Sequence, residues 1–313
     1  MARYGAVARV YVTRDLPGDA LARLRAEHDV EVWPDPTPPP PGPLRRAAAE
    51  ADALVTMLTE RVDARLLDAA PRLRAVANVA VGTDNIDLDA CAARGVAVGN
   101  TPDVLTDATA DLAMALLLAA ARRLPEAMAE VREGRWGPWN PGHLLGMDLQ
   151  GATLGIVGFG RIGRAVARRG EGFGMTVLHS SRRGGVPLPE LLDRADVVSL
   201  HCPYTPETRH LIDETALRAM RDTALLVNTA RGAVVDQTAL RRALREGWIA
   251  GAALDVTTPE PLPADDPLLD APNLVVLPHI GSATHGARAR MATLAVENVL
   301  AALAGRPMPN PVG

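Results

Sequence analysis

Short apolar runs alternate with longer mixed stretches along almost the whole chain. Runs at residues 7–12, 30–33, 53–57, 75–79 and 96–100 predict buried strands, and residues 20–28 read as a helix between the first two. Residues 35–43 are so rich in proline that they predict a loop. Residues 103–123 read as one long helix, apolar over most of its length, as expected of a helix buried between domains or subunits. Residues 134–146, GRWGPWNPGHLLG, read as a Gly/Pro/Trp-rich loop. From Gly151 a second alternating series sets in, with strands expected at 153–157, 176–180, 197–201, 224–228, 252–255 and 274–277. A last helix is expected over 285–304, before a proline-rich end. Strands alternating with helices predict an α/β chain built on doubly wound parallel sheets. Periodicity leaves open which domain the last helix packs on.

Composition narrows this picture. A chain of 313 residues is long enough for two domains, and 48% apolar residues suffice for real cores. A net charge of −4 gives no footprint for nucleic acid or an anionic membrane. Every basic residue is arginine, which reads as coding bias. Cys91 and Cys202 have neither metal-ligand nor redox spacing, and no His/Cys/Asp/Glu cluster suggests a metal. The opening MARYGAVARVYVTRDLP lacks an apolar signal core, and the longest apolar run, residues 112–121, is about half of what spanning a bilayer needs. These features predict a soluble cytoplasmic protein.

The most specific local signal is GIVGFGRIGRAVARR, which sets Gly158, Gly160 and Gly163 between a predicted strand and a predicted helix. Gly158 allows the tight turn, Gly160 lets backbone approach a pyrophosphate, and Gly163 lets helix and strand pack closely. The helix N-terminus then presents N–H groups to the anion. The alternative is an ordinary strand–helix turn. An NAD site usually carries an acid at the end of the next strand, for the ribose 2′-OH. Here that strand ends in HSSRRGG, with Ser181 at the acid's place and Arg182 and Arg183 behind it. A hydroxyl and guanidinium groups would accept a 2′-phosphate, so NADP(H) is expected over NAD(H). A solvated arginine pair is the alternative.

Three further segments place polar residues just beyond predicted strands: Arg231 after LLVNTA, Asp255 and Glu260 in ALDVTTPEP, and His279 in VVLPHIG. In open parallel sheets ligands bind at the carboxyl ends of the strands. Reduction of a 2-keto acid needs a cation for the carboxylate, a proton donor for the carbonyl oxygen, and a group that keeps the donor protonated. Arg231 suits the first role, His279 the second and Glu260 the third, by raising the imidazole pKa. Singly, each has a bland reading as a surface or loop residue. Asp255 is ambiguous between bonding the nicotinamide amide and capping local structure, and His201 reads as structural.

These residues resemble the D-isomer-specific 2-hydroxyacid dehydrogenases, and within them the glyoxylate/hydroxypyruvate reductases. The likeness covers nearly the whole chain and is carried by VANVAVGTDNIDLDA, NTPDVLTDATADLAMALLLA, GIVGFGRIGRAVARR, NTARGAVVD, AGAALDVTTPEPLP and LPHIGSATHGARARMA. The resemblance implies that Arg231, Glu260 and His279 match the catalytic residues and that backbone at Val81 and Gly82 binds the substrate carboxylate. It implies cofactor contacts from Phe159, Arg161, Ile162, Ser181 to Arg183, Thr229, Ala230 and Gly281, with Thr106 a further candidate. It implies a homodimer, in which Trp139 (or, less closely matched, Trp136) reaches the partner's active site. It also implies a Rossmann cofactor domain, residues 102–284, inserted into a discontinuous flavodoxin-like substrate domain, residues 1–101 and 285–313. Hinge closure would then bring Val81 and Gly82 toward Arg231. One departure stands out: after Arg183 about ten residues of the family's usual length are missing, including a helix and a short strand, beside the adenosine end of the cofactor.

Two rival readings remain at this stage. One is a phosphoglycerate-type or other D-hydroxyacid dehydrogenase using NAD, against which the absent acid at Ser181 counts. The other is a nucleotide-sensing binding module that keeps the fold but does not turn over. Glu260 counts against a formate dehydrogenase, which usually carries glutamine there.

Overall fold

The structure is a computed structural model and describes residues 7–313; the first six residues of the N-terminal stretch lie outside the described residues. The chain forms two compact units, one running to Leu105 and resuming over Ala283–Gly313, the other comprising Thr106–Ser282. Among the described residues, no helix is long and apolar enough to cross a membrane.

The first unit runs β1 (Arg9–Val12), α1 (Ala20–Glu27), β2 (Asp29–Val32), α2 (Pro41–Glu50), β3 (Ala53–Thr56), α3 (Ala64–Asp68), β4 (Ala75–Asn78), α4 (Leu88–Ala93) and β5 (Ala97–Gly99). Its five strands are parallel in the order β2-β1-β3-β4-β5, the order of flavodoxin-like sheets. Every residue of β3 and β4 is buried, because the sheet is covered on both faces.

The second unit runs α5 (Thr106–Ala121), α6 (Leu124–Arg132), β6 (Thr153–Val157), α7 (Arg161–Gly172), β7 (Thr176–Ser181), β8 (Gly184–Gly185), α8 (Leu188–Arg194), β9 (Val197–Leu200), α9 (Glu214–Ala219), β10 (Leu225–Asn228), α10 (Gln237–Glu246), β11 (Gly251–Leu254) and β12 (Leu274–Val276). The sheet order is β12-β11-β10-β9-β6-β7-β8, parallel except for β8. The order reverses between β6 and β9, the switch point at which doubly wound sheets open a crevice at their carboxyl edge. Packing from α5 and α7 covers one face, around Leu154 and Ile156. Residues of α8, α9 and α10 cover the other, around Leu200 and Leu226. The last helix, α11 (His285–Leu303), belongs to the first unit, where Ala292, Ala295, Val296 and Val299 pack with Leu21 and Leu24 of α1.

Two expectations need correction, and one turn was not foreseen. The long helix over 103–123 is shorter, Thr106–Ala121, and a second helix follows it. Pro125 explains the break: a continuous helix would drive its ring against the carbonyl of Ala121. The chain instead turns at Arg123, at φ +51°, and Pro125 occupies the first turn of α6. The proline loop over 35–43 ends early, because Pro41 opens α2, where a missing N–H does no harm. After Ser181 the chain makes a tight antiparallel hairpin that pairs Ser181 with Gly184, so that Arg182 and Arg183 form a two-residue turn.

Candidate active site

The glycine loop leaves β6 and enters α7. Gly158 has φ +94°, and a Cβ there would lie 2.5 Å from the Cys202 nitrogen. A Cβ on Gly163 would lie 2.3 Å from the Gly158 carbonyl oxygen. Packing therefore demands glycine at both. Gly160 differs, since a Cβ there would meet nothing within 4 Å. The backbone at Gly160 faces open space, and no side chain caps the N-terminus of α7. N–H groups at the start of a helix, beside an open approach, suit a pyrophosphate, so these residues fit a dinucleotide. Phe159 stacks on His179 of β7 at 4.0 Å between ring centroids, with the Arg164 guanidinium 4.8 Å from the Phe159 ring. Arg161 and Ile162 open the helix.

At the end of β7 the Ser181 hydroxyl donates to the Gly184 carbonyl at 3.0 Å and accepts from the Arg183 N–H at 3.3 Å. Arg182 and Arg183 lie on the hairpin tip, both exposed. A 2′-phosphate here would meet arginines on that tip.

The loops after β10, β11 and β12 are tied together by polar contacts. Backbone bonds continue past the strand ends: Asp255 N–H donates to the Asn228 carbonyl and His279 N–H to the Asp255 carbonyl, both at 2.9 Å. Fully buried Asn228 donates from Nδ2 to the Arg231 carbonyl at 2.9 Å and accepts the Ala230 N–H on Oδ1 at 2.9 Å. Its amide thus shapes the turn of Thr229, Ala230 and Arg231. Next to Arg231, a Cβ on Gly232 would meet the Thr257 carbonyl oxygen at 2.0 Å, so this loop presses directly on the one that carries Glu260.

Asp255 is 1% exposed, and its two oxygens accept the N–H groups of Ile280 and Gly281 at 2.7 Å each. Burial raises its pKa, and those two N–H bonds act against the rise. The capping alternative is therefore the role this geometry displays. His279 sits at φ +54°, a left-handed conformation that strains a residue with a Cβ. The Asp255 clamp on the next two residues holds it there. Glu260 receives the Thr257 N–H on Oε1 at 3.0 Å, and its Oε2 lies 2.7 Å from Nδ1 of His279. With Nδ1 so engaged, Nε2 is the ring nitrogen left for chemistry. Both side chains are only about a quarter to a third exposed, at 26% and 30%.

His201, at the end of β9, bonds Ser199 Oγ through Nε2 at 2.8 Å and Thr229 Oγ1 through Nδ1 at 3.4 Å. Burial pushes its pKa down to about 4, so it is a neutral structural imidazole at neutral pH. Thr106 is the first residue of α5, and Thr109, one turn on, lies beside Gly281. Val81 and Gly82 follow β4 in the other compact unit. Trp139 is 87% exposed and Trp136 76%. A hollow of about 870 Å³ in the second unit lies at the opposite edge of the sheet, beside Leu225, Gly251 and Leu274, and holds none of these residues. Sequence reasoning missed Asn228, Thr257 and Gly232, although Asn228 in VNTARG was the polar residue ending an otherwise apolar run.

Fold and site together define a nicotinamide-dinucleotide oxidoreductase of the doubly wound type. Residues 114–281 match the model of the D-isomer specific 2-hydroxyacid dehydrogenase NAD binding domain, and the chain belongs to that family. It is 51% identical to a glyoxylate reductase of Korarchaeum cryptofilum, over 96% of this chain and 95% of the relative. A solved protein of Thermus thermophilus superposes with a TM-score of 0.94 at 51% identity, over 97% of this chain and all (100%) of that one. The NADPH-dependent glyoxylate/hydroxypyruvate reductase of Sinorhizobium meliloti, solved with NADP and malonate, superposes with a TM-score of 0.84 at 33% identity, covering 98% and 97% of the two chains.

Proposed function

We propose that the protein reduces small 2-keto acids, glyoxylate and hydroxypyruvate foremost, to D-2-hydroxy acids, with NADPH preferred to NADH. The carrying observation is the His279–Glu260 pair at 2.7 Å, with the carboxylate's other oxygen tied to backbone. A bound nicotinamide supplies the hydride. His279 donates a proton from Nε2 to the carbonyl oxygen, while Glu260 fixes the ring and stabilises its charge. Arg231 pairs with the substrate carboxylate, helped by the backbone around Val81 and Gly82. Oxidation runs the same relay backwards. The second unit, with Thr229, Ala230, Gly281 and Thr106 lining the cofactor, is the dinucleotide domain, and the first is the substrate domain. Ser181, Arg182 and Arg183 receive the 2′-phosphate, in keeping with the missing acid. The named relatives support the substrate class.

The reading includes a cytoplasmic homodimer. Six large apolar side chains between Leu124 and Leu145, Trp139 among them, are exposed, and α6 buries none of its residues within the chain. A second copy covering them would bring Trp139 to its active site.

A panel of 2-keto acids assayed with NADPH and with NADH tests the reading. Turnover of glyoxylate and hydroxypyruvate, with a lower KM for NADPH, is expected. Equal KM values for the two cofactors would remove the NADPH preference, and no turnover with either would favour a binding module.

A further inference from the structure

The loop after β4 carries two peptide groups whose carbonyls are both held by asparagine side chains. Asn100 donates from Nδ2 to the Val81 carbonyl at 2.7 Å, and Asn78 donates from Nδ2 to the Gly82 carbonyl at 2.9 Å. In a trans peptide the C=O and the following N–H point in opposite directions. Pinning the Val81 oxygen therefore aims the Gly82 N–H away from Asn100, and pinning the Gly82 oxygen aims the Thr83 N–H away from Asn78. Asn78 is fully buried, so the Thr83 N–H points away from that buried amide. Neither N–H donates to any described residue. Successive N–H groups left bare in this way form an anion cradle.

Both asparagines are themselves braced. Asn78 accepts from Thr56 Oγ1 at 3.1 Å and donates to Asn85 Oδ1 at 3.0 Å. Asn85 in turn donates to the carbonyls of Met57 and Glu60, at 3.0 and 2.8 Å. Behind Asn100 stands Asn298, fully buried on α11, which donates to the Asn100 carbonyl at 2.9 Å. The last helix thereby reaches the cradle through two amides.

We propose that Asn78 and Asn100 are positioning residues that orient the Gly82 and Thr83 N–H groups for the substrate carboxylate. This rests on the reading that the Val81–Gly82 backbone binds that carboxylate. Neither asparagine touches substrate; each acts through a peptide plane. The ligand class is a small carboxylate, and the contribution is to binding, equal in ground and transition states.

The test uses protein labelled with 15N-glycine and saturated with NADPH, titrated with oxamate, a non-reducible carboxylate. In the wild type the Gly82 amide resonance should shift. In Asn100→Ala, a change at a half-exposed position, the oxamate midpoint and the keto-acid KM should rise about three- to tenfold, the range of one hydrogen bond, with kcat within about twofold. Asn78→Ser should do the same. A merely structural role would lower Tm and leave both midpoint and KM unchanged. A wild-type Gly82 amide that ignores oxamate would show the carboxylate site to be elsewhere and would overturn both readings. A Gly82 amide that shifts equally in wild type and both variants, at unchanged KM, would overturn only the role of the asparagines.

Discussion

Two edges of the seven-stranded sheet carry the proposed function, and they are built differently. At the ends of β10, β11 and β12, every side chain proposed for catalysis has a buried polar group behind it. Asn228 shapes the Arg231 turn, Asp255 clamps the residues after His279, and the Thr257 N–H holds Glu260. At the end of β7, Arg182 and Arg183 stand on a two-residue turn open to solvent. Proton transfer depends on heavy-atom distances held to a few tenths of an ångström, so the scaffold must fix them. Attraction of a phosphate by arginine charge falls off slowly with distance and tolerates slack. The difference shows where this molecule invests its buried polar groups.

The largest expected effect lies on the braced edge. His279→Ala should lower kcat about 10³-fold, within the range for a general acid, and leave cofactor binding nearly intact. Stopped-flow hydride-transfer rates and cofactor titrations check this, and a near-normal kcat would remove the proton-donor role.

His201 lets pH probe the same edge. Its pKa in the folded chain is lowered to about 4, whereas an unfolded histidine titrates near 6.5. Between those values the unfolded chain binds the extra proton, so stability is complete above about pH 6.5 and is lost as pH falls toward 4. The loss amounts to about 3 kcal/mol. Urea midpoints measured from pH 7 to 4.5 should drop in the wild type and drop less in His201→Gln; parallel curves would show that His201 is not the titrating group.

Asn228→Ala sharpens the contrast by removing the brace without touching a reacting atom. It removes the partner of the Ala230 N–H and one of the donors to the Arg231 carbonyl, which keeps the Val234 N–H, at about 1–3 kcal/mol of stability, and should lower kcat/KM for the keto acid more than for the cofactor. Arg182→Ala, on the loose edge, should have the smallest effect. NADPH KM should rise about three- to tenfold, the discount on a charge-assisted bond made at an exposed site, with NADH KM unchanged. An equal change in both would place the 2′-phosphate elsewhere.

The residues that carry local rules were the legible ones. A glycine loop between strand and helix, apolar runs at strand length, and Arg231, Glu260 and His279 just past strand ends all follow from spacing within about twenty residues. Less legible was the helix break at Arg123, although Pro125 was in view, because the apolar run to residue 121 masked it. The hairpin after Ser181 was missed because its strand is only two glycines long. The asparagines escaped notice for another reason: a buried amide declares its partners only once strands far apart in sequence lie side by side.

By itself, the sequence determined the two doubly wound sheets and the dinucleotide loop, and it singled out Arg231, Glu260 and His279 as the acid–base candidates, since each rests on periodicity or on chemistry that a side chain carries anywhere. Only the tertiary structure decided that Glu260 meets Nδ1 of His279 and that Asp255 serves as a clamp. It also decided that Asn78 and Asn100 hold the peptides after β4. Those outcomes depend on which strand ends are neighbours, and the parallel order of each sheet, not the spacing along the chain, makes them so.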